Sequence, residues 1–199
     1  MADKKGILMI VSGPAGVGKG TVVAKSVEKS GGSIYLSISA TTRNPRPIDE
    51  EGVTYFFKKK DEFEKMIENN ELLEWACYVD NYYGTPSKPV FEALENGRDV
   101  ILEIEVQGAL KVKKNFKDAV LTFIVPPSLD ELEARLRGRN TETEEQIQKR
   151  LSTAKGEFEK ISEYDYVVEN NTVDEAVEDI FAILRSEKLK REKYKDNLL

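Results

Sequence analysis

The chain has 199 residues, 40% hydrophobic and 33% charged, enough to bury one substantial core with room for a small inserted lobe. A net charge of −6 argues against non-specific attraction to nucleic acid or to an anionic membrane, so any bound anion must be held by locally placed cations. The single cysteine, Cys77, excludes an internal disulfide, and the absence of histidine removes Cys/His zinc sites and the Ser-His and Cys-His nucleophile pairs.

The polar start MADKKG and the short apolar run ILMIV make neither a signal core nor a membrane span, so the expected location is the cytoplasm. That run is the first of five rich in Val, Ile and Leu: ILMIV (7–11), IYLSIS (34–39), DVILEIEV (99–106), AVLTFIV (119–125) and YVVEN (166–170). Helix-period stretches lie between most of them, which predicts an α/β domain with a largely parallel sheet, a three-layer core. The first run leads into SGPAGVGKGT, where Gly13-x4-Gly18-Lys19 sits between a strand and the helical pattern TVVAKSVEK. That is the context of a P-loop. Its residues Gly13, Pro14, Ala15, Gly16, Val17, Gly18, Lys19, Gly20 and Thr21 are candidates for cradling the phosphates of ATP. The glycines let backbone amides turn inward, the helix N-terminus adds partial positive charge, and Lys19 supplies a point charge. The strict motif has Ser or Thr at position 20 to meet magnesium; this chain has Gly20, and the nearest hydroxyl is that of Thr21.

Between the second and third runs, VTYFF (53–57) and LLEWACYV (72–79) are aromatic-rich and flank the amphipathic DEFEKMIENN. Asp61 is the expected cap of that segment, with Phe63, Met66 and Ile67 at helical spacing. Residues 40–88 read as a small lobe inserted into a core made of 1–39 and 89–199. After the fourth run, PPSLDELEARLRGRNTETEEQIQKRL holds two helix candidates joined by GRNTETEE, with Arg135, Arg137, Arg139 and Arg150 around the joint. From Val173 a long helix, VDEAVEDIFAILRSEKLKREKYK, closes the chain with a basic last turn that suits the helix macrodipole.

The GKGT form of the loop resembles nucleoside monophosphate kinases. More specifically, SISATTRNPRPIDEEGVTYFF, LLEWACYVDNYYGT, LEIEVQG and RLRGRNTETEEQIQKRL strongly resemble guanylate kinases, from about Gly6 to the final helix. The resemblance implies a P-loop core, a GMP-binding lobe at 40–88 and a helical lid at about 130–152, and transfer of the ATP γ-phosphoryl group to GMP with magnesium. It assigns Arg43 and Arg46 of TTRNPRP, with Tyr55 and Tyr83, to the GMP phosphate, where guanidinium forks suit bidentate contact. Glu74 of LLEWA would accept from guanine N1–H and the 2-amino group, which adenine lacks. Ser39 and Thr85 are implied as hydroxyl donors to the base carbonyl, and Glu105 as a second acidic contact. Many relatives carry Ser at the position of Thr85 and some carry Asp at that of Glu105; both swaps keep the chemical group.

Glu103 and Glu105 alternate along LEIEV, so both are expected on one face at the C-terminal end of a strand, with Glu103 orienting a magnesium-bound water. Arg135, Arg139 and Arg150 would swing over the transferred group, while Glu131, Glu133, Glu142, Glu144 and Glu145 are placed to pair with the arginines in an open state. In ENNT (169–172), Asn170 or Asn171 would contact adenine. The expected partners are ATP and GMP, with deoxy-GMP as a further acceptor, in a monomer or homodimer, without nucleic acid or membrane. The rivals are another nucleoside monophosphate kinase and a non-catalytic guanylate-kinase-like module that binds peptides.

Overall fold

The computed structural model describes residues 5–138 and 143–190. Among these, the apolar runs form one parallel sheet of five strands: β1 (Leu8–Ser12), β2 (Ile34–Leu36), β7 (Asp99–Glu103), β8 (Val120–Val125) and β9 (Tyr166–Glu169). They lie in the order β2-β7-β1-β8-β9, so β1 is central and the chain crosses over it between β7 and β8. Ligands of such sheets bind at the strand C-termini beside this switch point.

Side chains alternate across β1. Met9 and Val11 enter a core shared with α1 (Lys19–Lys29), α5 (Leu129–Gly138), α6 (Glu144–Phe158) and α7 (Val173–Lys188). Leu8 and Ile10 enter a second core with α3 (Ser87–Glu95) and α4 (Val106–Asn115). Helices therefore cover both faces, and each aliphatic side chain fully buried between the layers contributes about 1.5–3 kcal/mol. Arg185 and Lys188 occupy the last turn of α7, as the macrodipole favours. Among the described residues, no helix is long and apolar enough to cross a membrane.

A second, four-stranded sheet takes its strands from between β2 and α3, in the order β4-β3-β6-β5: β3 (Ala40–Thr41), β4 (Phe56–Phe57), β5 (Leu72–Tyr78) and β6 (Asn81–Pro86). Of VTYFF only the two phenylalanines join it, because Thr54 Oγ1 is engaged with the Glu50 backbone (2.7 and 2.8 Å) in a preceding turn. Helix α2 (Lys60–Glu68) packs on this sheet through Phe63, which is fully buried and stacked on Tyr82 at 5.3 Å. Its N-cap is Lys59 and not Asp61: the Glu62 carboxylate accepts from the Lys59 backbone amide at 3.0 Å, and Asp61 falls inside the first turn, where its charge suits the dipole.

The β5–β6 hairpin turns on Val79 and Asp80, both with positive φ (46° and 61°). A β-branched residue is strained in that region, and hairpin turns of this kind favour Asn-Gly. Replacing Val79 by Asn together with Asp80 by Gly is expected to stabilise the protein by about 1 kcal/mol, read as a higher Tm. An unchanged or lower Tm would mean that the turn carries no strain.

Candidate active site

The loop after β1 is compressed between neighbouring strands. Gly13 has φ 144°, and a Cβ on it would fall 2.3 Å from Ile124 O; at Gly18, φ 88°, a Cβ would meet Asn170 Nδ2 at 2.5 Å. Only glycine turns at these two points. Val17 faces the core, fully buried, while its carbonyl accepts from Asn170 Nδ2 at 2.7 Å. Lys19 opens α1, and its ammonium donates back across the loop to the carbonyls of Gly13 and Pro14 (the latter at 3.0 Å). Pro14, Ala15, Gly16, Gly18, Lys19, Gly20 and Thr21 then line an open cleft whose far wall is Glu103. A Cβ at Gly20 would touch the Glu103 carboxylate (3.6 Å), so glycine at this position leaves the space beside that acid free. Glu103 stays accessible to solvent, yet the protein around it lifts its carboxyl above the ordinary value, and the charge of Lys19 opposes that shift.

A second cleft, of about 300 Å³, lies between the two sheets, and Ser39, Tyr55, Glu74, Tyr83, Glu103 and Glu105 line it. Glu103 faces both clefts, so they meet at that carboxylate. The expectation that Glu103 and Glu105 alternate along one strand is not met: β7 ends at Glu103, and Glu105 is the N-cap of α4 with φ −72° and ψ 159°. Both still reach the cleft, because the chain turns into the helix there. Glu74, on β5, has its carboxyl raised chiefly by burial, with the Thr85 hydroxyl and the charge of Lys111 pulling it down. Thr85 is itself buried and does not line the cleft; its Oγ1 donates to Glu74 Oε1 at 2.8 Å. Tyr55 and Tyr83 meet edge to face at 6.2 Å, and burial raises the Tyr55 phenol.

Arg43 and Arg46 stand beside this cleft and do not line it. Arg43 pairs with Asp49 at 2.9 Å, and its guanidinium lies 5.4 Å from the centre of the Tyr55 ring. Arg46 is exposed, and its backbone amide donates to Asp49 Oδ2 at 2.7 Å. The Arg43 guanidinium, helped by that amide, holds the Asp49 carboxyl below its ordinary value.

On α5, Arg135 bridges Glu131 (2.8 Å) and the carbonyls of Asn170 (3.1 Å) and Val17 (3.5 Å), which brings it to the outer wall of the loop. Arg137 pairs with Glu133 and Glu144 and holds the Glu144 carboxyl down at about 2. Arg150 is exposed on α6; Arg139 and Glu142 lie outside the described residues. Asn170 is buried with its side-chain amide committed to Val17 O, whereas Asn171 is exposed and donates to Glu175 at 3.3 Å. Three residues escaped the sequence reading. Gln107 and Gly108 line the second cleft from α4, and half-buried Glu157 on α6 feels the charges of Lys19 and Glu105. Only EVQG, adjoining Glu105, carried a signal for the first two.

A family model described as guanylate kinase matches residues 5–187. The chain belongs to the guanylate kinase family. A guanylate kinase of Halalkalibacterium halodurans is 55% identical over 97% of this chain and 94% of the relative, and one of Oceanobacillus iheyensis is 54% identical over 97% and 93%. The crystal structure of guanylate kinase from Anaplasma phagocytophilum superposes with a TM-score of 0.80 at 32% identity, covering 100% of this chain and 96% of that one. In this member of the family the P-loop and the Glu74 cleft share the C-terminal edge of the central sheet through Glu103.

The raised Glu74 carboxyl has a consequence for stability. Its folded value exceeds the unfolded one, so the folded state binds more protons in that window, and stability falls as pH rises through it. The variant Glu74→Gln removes this dependence, so its stability relative to the parent should grow from pH 4.5 to neutrality, measured by urea denaturation at both ends. A pH-independent difference would show that the carboxyl is not shifted.

Proposed function

We propose that the chain catalyses reversible transfer of the ATP γ-phosphoryl group to GMP, giving ADP and GDP by direct in-line displacement, with residues of both clefts in the roles that follow. The observation that carries this reading is the meeting of the phosphate loop and the Glu74 cleft at Glu103. Phosphoryl transfer needs little covalent chemistry from the protein; positioning and charge neutralisation dominate.

The loop from Gly13 to Thr21 holds the triphosphate on its amides, and the Lys19 ammonium moves from the Gly13 and Pro14 carbonyls to the β- and γ-oxygens. In the acceptor cleft, Glu74 accepts from guanine N1–H and the 2-amino group, with Glu105 as a second acceptor and Ser39 donating to the base carbonyl. Adenine presents an acceptor at N1 and would leave Glu74 unpaired, a discrimination on the order of 10⁴. Thr85 acts on the base through Glu74, whose Oε1 it holds. Arg43, Arg46, Tyr55 and Tyr83 take the GMP phosphate, which is already anionic and needs no strong general base. Arg135, Arg139 and Arg150 close over the transferred group and exclude water. Asn171 contacts adenine, while Asn170 braces the loop from β9.

Thr21 on the first turn of α1 and Glu103 across the cleft are hard oxygen donors that suit magnesium. A magnesium ion held by these two residues would supply positive charge against the phosphates. The enzyme works in the cytoplasm, and residues 40–88 move as an acceptor lobe against the core.

The test is ADP formation from ATP and magnesium with GMP, AMP, UMP or CMP as acceptor. Turnover with GMP alone is expected; none with any acceptor, from folded protein, would overturn the assignment in favour of a binding module. Replacing Lys19 by Met should lower kcat by about 10²–10³-fold with the fold intact. Retained turnover in that variant would remove Lys19 from the donor site.

A further inference from the structure

Glu74 enters its cleft from β5, but the start of α4 limits where its carboxylate can lie. Gly108 is the third residue of that helix, and a Cβ built on it would fall 3.1 Å from Glu74 Oε2 and 3.4 Å from Ile104 Cδ1. A side chain there would push the carboxylate away. The opposite oxygen, Oε1, is fixed by the Thr85 hydroxyl at 2.8 Å, so Glu74 has little freedom to yield without breaking that bond. One turn further on, Lys111 donates to Trp75 O at 3.1 Å, tying α4 to the strand that carries Glu74.

The glycine is not required by the backbone. Gly108 lies in ordinary helical conformation, outside the positive-φ set, and alanine is the better helix former at such a position. A helix-weakening residue whose missing Cβ is the space a functional carboxylate occupies is a local rule broken at a site.

We propose that Gly108 is a specificity-determining positioning residue: its clearance lets Glu74 lie against the first turn of α4 with Oε1 on Thr85, the pose in which both oxygens face the guanine edge. The inference rests on Glu74 reading the base, as argued above. It makes α4 part of base selection although no side chain of residue 108 touches the nucleotide.

The experiment compares Gly108→Ala, Glu74→Ala and the double variant with the unsubstituted enzyme, measuring kcat and KM for GMP at saturating ATP, KM for ATP, and Tm. GMP turnover by the unsubstituted enzyme is read first, and its absence would overturn the function itself, separately from the role of Gly108. Given that turnover, Gly108→Ala should raise KM for GMP about tenfold while kcat and KM for ATP hold and Tm stays level or rises. In the Glu74→Ala background the same substitution should change kcat/KM for GMP by less than about twofold, because the carboxylate it displaces is gone. An unmoved KM for GMP, a tenfold loss that persists without Glu74, or a fall in Tm with equal losses for both nucleotides would each overturn the proposal.

Discussion

The site hangs on one close approach: the α-carbon of Gly13 against the carbonyl of Ile124, with no room for a Cβ between them. This contact makes the chain leaving β1 turn at once, under the exit of β8, rather than run on past the sheet. The turn delivers Lys19 to the start of α1 directly over the sheet edge, and Asn170 and Arg135 then grip the loop from β9 and α5 through Val17 O. Three elements distant in sequence thus converge on one carbonyl. The phosphate cleft is shaped by core packing as much as by the loop's own conformational preferences.

Around that loop the charges are arranged in opposition. Glu103, and more distantly Glu157, feel Lys19, while protein packed around both acids lifts their carboxyls. Lys19 thus stands among two acidic charges and two loop carbonyls. Glu74 differs. Thr85 holds one of its oxygens, and the missing Cβ of Gly108 leaves room for the other, so its orientation is set by the protein itself.

Much of this was legible in the sequence because it depends on short-range signals. All five apolar runs became the parallel strands, and the glycine spacing marked the loop, since a backbone that must turn under a neighbouring carbonyl admits little else. Ser39, Tyr55, Glu74, Tyr83 and Glu105 were singled out by motif and do share one cleft. What periodicity could not supply was where each element stops. LEIEV alternates in type, yet the strand ends at Glu103, because the following residues gain more as the first turn of α4 than as further ladder. Strands β3 and β6 were likewise invisible: a two-residue strand has no period, and NYYGTP looks like a turn until Phe63 and Trp75 cover Tyr82. The division of labour between Asn170 and Asn171 is purely tertiary, fixed by which amide reaches Val17 O. Thr85 bonding to Glu74 is of the same kind, a contact between strands that no local pattern encodes.

The pairing of Arg43 with Asp49 has a further consequence. Asp49 is an anion built into the same loop, so it meets Arg43 at a high effective concentration. It acts as a tethered competitor. Any anion that binds the Arg43 guanidinium must first displace this resident carboxylate. One aspartate a few residues along the chain thereby sets what Arg43 must give up before it takes another partner.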